Sequence, residues 1–173
     1  MENITMLDTI MVSVLCAVFA DPSFYLSKKR QESICEILPH VIKEAHENDL
    51  DPFLLMGLIT VESNWRSDAV SSAPACGLTQ VMPKYTGGKA TAGKKYTCEQ
   101  LKKPQTSVTV GAEVLGWWIH KYGRGVVSTG LCGYYAGFRC KPDLLPSGRS
   151  YYKKVLNRKN KIYTHYNKLL DQM

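Results

Sequence analysis

The feature that most constrains this chain is an acid set into the apolar face of a core-forming helix. Asp51 followed by Pro52 predicts an N-cap and a first helical position. Leu54, Leu55, Leu58 and Ile59 then recur at three- and four-residue spacing, the stripe of an amphipathic helix turned towards a core. Glu62 lies seven residues after Leu55, four after Leu58 and three after Ile59, so it continues that stripe. Desolvation and the negative end of the helix dipole would both raise the pKa of a carboxyl in this place. A carboxylic acid that stays protonated near neutral pH is what proton donation requires. The plainer alternative is that Glu62 frays off the helix end into water or pairs with Arg66.

The rest of the chain reads as mostly helical. Over 27–48, Ile34, Ile37, Leu38, Val41, Ile42 and Ala45 mark one apolar face, and Pro39 is expected to kink or restart the helix. A Ser- and Ala-rich loop follows Glu62 over 64–75. The stretch 83–104 is rich in Gly, Lys and Thr without a period, which predicts a long exposed loop or a weak hairpin lobe bordering the site. Over 107–122, Val108, Gly111, Leu115, Trp118, Ile119 and Tyr122 share a helix face; Gly111 would permit close helix packing. Thr106 or Ser107 would cap the start, and Gly123 the end. A short helix over 126–136, a turn over 143–150 and a basic terminal helix over 151–170 complete the chain. The expected fold is mostly α, a single domain over 26–173 with at most a small β-hairpin, preceded over 1–25 by a helix or signal-like segment.

Composition narrows the class. At 173 residues with ordinary apolar and charged fractions, the chain suits one globular core. Its formal charge of +7 is uneven: from Lys121 onward eleven Lys and Arg face only Asp143 and Asp171. A basic end suits polyanions such as nucleic acid, anionic lipid or a cell wall with its carboxylates, and equally a solvated helix face. No aromatic-interleaved nucleic-acid motif is present, so nucleic acid is not expected as a partner. The apolar run 9–20 is too short to span a bilayer, so stable membrane insertion is not expected either. Val18-Phe19-Ala20 before Asp21 fits a signal-peptide core and cleavage site. The acidic start, with Glu2 and Asp8 and no Lys or Arg, favours a structural helix instead.

Six cysteines match no zinc-ligand spacing, and no metal or other cofactor is expected. Cys132 and Cys140 flank a short glycine-containing segment, and Cys76 and Cys98 flank the loop after the Glu62 helix. Each pair can staple what it flanks; buried free thiols are the alternative.

The words around Glu62 add a resemblance. Glu62-Ser63 ends an apolar helix, Ala69-Val70-Ser71 follows, then Gly77-Leu78-Thr79-Gln80-Val81-Met82-Pro83. Together with motifs further on, they resemble lytic transglycosylases of the soluble (SLT) type, over about residues 34 to 157. The resemblance implies a goose-lysozyme-like α-helical fold. It also implies cleavage of peptidoglycan glycan strands between N-acetylmuramic acid and N-acetylglucosamine. In this family the muramic acid's own 6-hydroxyl attacks its anomeric carbon and leaves a 1,6-anhydro end. That chemistry needs one carboxyl group rather than the usual glycosidase pair, because the nucleophile is already tethered to the substrate.

Glu62 matches the family's single catalytic Glu. Ser63 matches the Ser beside it, which contacts substrate, and Gln80 and Met82 match positions that line the cleft; Met82 can equally be core. Ser107-Val108 stands where the family has Asn-Ile, with Gly111 on the same helix. Leu131 to Gly137 corresponds to A-x-A-Y-N-A-G: Tyr134 matches its Tyr, and Tyr135 stands in place of the Asn whose amide can bond a sugar's acetamido group. Ser150-Tyr151-Tyr152-Lys153-Lys154-Val155 is similar to the terminal Tyr-Val-x-x-Val. Tyr151 takes the position whose hydroxyl reaches towards the catalytic Glu, with Tyr152 the adjacent alternative.

Two other readings fit the same residues. A goose-type lysozyme would add a second carboxylate about 6.5–9.5 Å from the acid to activate water; Asp68, or more remotely Glu99, would have to serve. A wall-binding module would keep the fold without the chemistry. Small proteins of this group include bacteriophage lysins, virion enzymes and exported wall-remodelling enzymes; all act at the peptidoglycan layer.

Overall fold

The computed structural model describes residues 6–140 and 146–173. Among these residues there are seven α-helices: α1 (Met6–Ala20), α2 (Lys28–Glu47), α3 (Pro52–Ser63), α4 (Cys98–Leu101), α5 (Pro104–Gly116), α6 (Val127–Ala136) and α7 (Pro146–Leu170). Two isolated antiparallel bridges, Val70 with Cys76 and Cys76 with Val81, are the β-structure among the described residues.

The centre is α3. Asp51 caps it, its carboxylate accepting the Phe53 N–H at 2.8 Å, with Pro52 in the first turn. The expected one-sided stripe is corrected: Phe53, Leu54, Leu55, Met56, Gly57, Leu58 and Ile59 are all buried, so the helix is enclosed on every side. The unbroken run Phe-Leu-Leu-Met-Gly-Leu-Ile leaves no polar face to give to water. Along one side lies α7. A Cβ on Gly57 would stand 2.8 Å from the Val155 carbonyl oxygen and 2.9 Å from the Lys159 amide nitrogen, so only glycine lets the two backbones approach this closely.

Ser27 caps α2, its hydroxyl accepting from the Arg30 N–H. The helix runs through Pro39 as one element, so the chain does not restart there. The buried residues Ile34, Ile37, Leu38, Val41, Ile42 and Ala45 stay in phase across the proline, and their packing outweighs the one backbone bond it lacks. The apolar run near the N-terminus is helical and docks: Val14, Leu15, Val18 and Phe19 are buried, the Phe19 ring meets Trp65 edge-on at 5.1 Å, and Cys16 is bridged to Cys35 of α2. No described helix is long and apolar enough to cross a membrane.

The segment 83–104 is neither an open loop nor a hairpin. It folds as 3-10 turns at Pro83–Tyr85 and Lys89–Thr91 followed by α4. Thr91 holds it from within, its hydroxyl donating to the Lys94 carbonyl at 2.9 Å and accepting the Gly87 N–H at 2.9 Å. Cys76–Cys98 ties it to the preceding loop, and Cys76, Val81, Leu101 and Val110 form a second small core beneath it.

The helix expected over 107–122 begins earlier, at Pro104, after Lys103; Thr106 and Ser107 therefore lie inside it rather than capping it. It widens into a π-helical segment, Trp117–Tyr122, before ending at Gly123. Val127–Ala136 follows as expected, with Cys132 bridged to Cys140. Of the expected turn over 143–150, residues 143–145 lie outside the described residues, and from Pro146 the chain is already helical.

Candidate active site

Glu62 occupies the last turn of α3. The chain turns sharply just beyond it, with Asn64 at φ +47° and Trp65 at φ +63°, and the Trp65 indole donates back to the Thr60 hydroxyl at 3.0 Å. Glu62 therefore does not fray into water. The Arg66 Nε–H donates to the Ser63 carbonyl at 3.1 Å and closes the helix end instead.

Burial raises the Glu62 carboxyl to about 7, against a downward pull from the hydrogen bond it accepts from the Tyr151 hydroxyl. Tyr151 comes from the second turn of α7 and is buried. Burial first, and the neighbouring Glu62 charge second, hold its phenol well above the ordinary tyrosine range, so it stays a donor. Tyr152, its neighbour in sequence, packs partly buried against the core.

Tyr134 reaches the same place from α6. Its hydroxyl donates to the Thr79 carbonyl at 2.7 Å, and its phenol is pushed up by burial and then by the Glu62 charge. Tyr135 is half exposed and lays its ring on Tyr151, centroids 4.9 Å apart and planes 20° apart. Glu62, Tyr134, Tyr135 and Tyr151 thus form one cluster from three helices.

Ser63, Gln80 and Met82 are placed differently. Ser63 is buried and its hydroxyl donates to the Leu78 carbonyl at 2.8 Å, fastening α3 to the loop that follows. The Gln80 amide donates to the Ala69 and Gly77 carbonyls at 3.0 and 2.9 Å while its backbone sits at φ +52°. Both side chains use these donors to shape the 69–82 loop. Met82 is partly exposed where that loop enters the 3-10 turn.

Thr79 was not singled out in the sequence, yet it joins this loop to two helices. Its N–H donates to the Ser107 hydroxyl at 3.2 Å, its own hydroxyl donates to the Ser107 carbonyl at 2.8 Å, and its carbonyl takes Tyr134. Gly111 makes room for it: a Cβ there would stand 2.4 Å from the Thr79 methyl. The close approach expected of Gly111 is therefore to this loop and not to a helix. The signal available in sequence was the Ser107 hydroxyl, which needs a polar partner when buried.

The two influences on the Glu62 carboxyl, burial and Tyr151, include no second carboxylate. Asp68 is exposed, and Glu99 is exposed and ion-paired with Lys102 at 2.6 Å. No group of three or more His, Cys, Asp or Glu side chains among the described residues could hold a metal ion. Chemically, the cluster offers one neutral acid near pH 7 whose conjugate base has a phenol donor already in place.

A family model described as the transglycosylase SLT domain matches residues 39–168. Two solved structures have a similar fold. One is an inactive mutant of the lytic transglycosylase Slt from Pseudomonas aeruginosa, with a TM-score of 0.61 and 19% identity, covering 92% of this chain and 30% of that one. The other is the 70 kDa soluble lytic transglycosylase of Escherichia coli, with a TM-score of 0.63 and 17% identity, covering 94% of this chain and 31% of that one. The present chain thus spans under a third of the length of either. No curated protein matches it in sequence.

Proposed function

This chain belongs to the transglycosylase SLT domain family, and from that membership we propose that it is a peptidoglycan lytic transglycosylase. It cleaves the β-1,4 bond between N-acetylmuramic acid and N-acetylglucosamine, with Glu62 as the single acid and base. The observation that carries the reading is the partly buried Glu62 carboxyl, raised by desolvation to about 7 and bonded by Tyr151.

Protonated Glu62 gives its proton to the leaving O4 of N-acetylglucosamine as the bond to the muramic acid's C1 breaks. The carboxylate left behind, bonded by Tyr151, then takes the proton from the muramic acid's 6-hydroxyl as O6 closes on C1. One C–O bond breaks, another forms, and a proton passes from O6 to O4 through Glu62; no water is consumed. A tethered nucleophile gives a high effective concentration without a site for water. Hydrolysis would instead need a base beside the acid, and neither exposed Asp68 nor ion-paired Glu99 supports that role.

Exposed Tyr135 and partly exposed Met82, Gln80 and Tyr134 have surface to offer a sugar, whereas buried Ser63 acts by holding the loop in place. Residues 26–173 form the catalytic domain, with α1 docked on it. Three disulfides suit work outside the reducing cytoplasm, at the peptidoglycan layer, whether as an exported enzyme or a phage lysin.

Mass spectrometry of fragments released from purified peptidoglycan tests the reading. Products ending in 1,6-anhydro-N-acetylmuramic acid, one water lighter than reducing ends, are expected. Reducing ends would make the protein a lysozyme, and tight binding without release would make it a wall-binding module.

A further inference from the structure

We propose that Tyr135 is a positioning residue: its ring, stacked on that of Tyr151, holds the Tyr151 hydroxyl on the Glu62 carboxylate. The inference rests on the acid role given to Glu62 above. The two rings belong to different helices, α6 and α7, and lie nearly parallel, planes 20° apart with centroids at 4.9 Å. Tyr151 is 6% exposed and Tyr135 is 52% exposed. Tyr135 is therefore the outer member of a two-ring stack whose inner member carries the bond to Glu62.

A phenol bonded only at its tip can still tilt about its two side-chain torsions. A parallel ring at contact distance restricts that tilt. It also keeps water off the outer face of Tyr151, where a hydrogen bond to a carboxylate gains strength from the low dielectric. An aliphatic or amide side chain at 135 has no ring face with which to do this.

The titratable groups acting here come from each packed helix: Glu62 from α3, Tyr134 and Tyr135 from α6, and Tyr151 from α7. Tyr134 and Tyr151 are both held well above the ordinary phenol range, so between pH 4 and 9 the Glu62 proton can be followed on its own.

The test is an NMR titration of the intact protein carrying 13C-labelled glutamate carboxyls, with Glu62→Gln assigning the signal. A phenol bond favours the carboxylate, so loosening it raises the midpoint, whereas merely admitting water to Glu62 lowers it. Tyr135→Ala is expected to raise the midpoint by about one pH unit, in the same direction as Tyr151→Phe. The Tyr135→Ala/Tyr151→Phe double variant is expected to rise no further than Tyr151→Phe. Tyr135→Phe, which keeps the ring, should restore the wild-type midpoint. Tyr135→Leu, which keeps apolar bulk, should rise as Ala does and stands in for it if Ala disturbs folding. A fall, an unchanged midpoint or an additive double variant overturns the proposal. The titration needs no substrate, so a wild-type protein that releases no glycan fragments would defeat the acid role without touching this result.

Discussion

The hydroxyl of Tyr151 donates to the carboxylate of Glu62 across 89 positions of sequence. The bond joins the end of α3 to the start of α7, two helices whose backbones close together at Gly57. It opposes the burial that raises Glu62, so the value of about 7 is set by desolvation working against a hydrogen bond.

Tyr151→Phe removes the lowering contribution, and the Glu62 midpoint should rise. Donation requires the protonated form, so the alkaline limb of the pH–rate profile should move upward. The conjugate base loses its donor, and maximal turnover should fall by about 10- to 100-fold. Tyr152→Phe, which touches no part of this bond, should leave the limb in place. The reverse order would assign the role to Tyr152.

Gly57→Ala should act on the site without touching it. The new Cβ would lie 2.8 Å from the Val155 carbonyl, backbone that cannot step aside alone, so α7 must move. We expect a loss of about 1–3 kcal/mol in stability. Activity should also fall when measured well below the melting temperature, because Tyr151 sits one turn before Val155 on the displaced helix. Gly88→Ala, with nothing within 4 Å of its Cβ, is the control and should stay within about 0.5 kcal/mol of wild type. Equal effects from both would sink the packing argument.

Glu62 was legible because it broke a pattern: an acid in phase with Leu55, Leu58 and Ile59 demands an explanation. The faces of α3 were not, since Phe53 and Met56 fill sides that periodicity leaves to water. The face of α2 was readable because Ile34 through Ala45 stay in phase over about three turns, and the same packing overrode Pro39. Within 83–104 the structure rests on Thr–backbone bonds and a disulfide, and neither leaves a periodic trace. Cys76 with Cys98 and Cys132 with Cys140 close loops visible in the sequence, whereas Cys16 with Cys35 depends on how α1 lies on α2. The stack of Tyr135 on Tyr151 joins two helices and could not be read from either.

Cys76→Ser/Cys98→Ser should loosen one lobe and spare the rest. The bridge closes a loop of 22 positions and is worth about 3 kcal/mol in the chain-entropy account. Hydrogen exchange over 83–101 should accelerate while α2 and α3 keep their protection. Activity should fall as well, because Thr79 in the adjoining loop holds the Tyr134 hydroxyl beside the acid. Uniform loss of protection across all helices would mean that the small core under the lobe is not a separate unit.

Glu62→Gln should abolish wall cleavage and stabilise the fold at high pH. A lost general acid reduces the rate by about 100-fold or more, so activity within about tenfold of wild type would end the single-acid mechanism. The stability effect follows from linkage. The carboxyl's ordinary value is 4.5, and in the folded protein it stands at about 7. Between those values the native state holds a proton that the unfolded state has released, so wild-type stability falls as pH rises through the window. Below 4.5 both states are protonated and the acid carries no such penalty; above about 7 both are ionised and the full penalty remains. The gap corresponds to about 3 kcal/mol. Gln cannot ionise, so its melting temperature should match wild type near pH 4, draw ahead between pH 4.5 and 7, and hold its lead at pH 8. Parallel curves at all three values would show that the carboxyl is not held neutral by burial, and the acid role would lose its physical basis.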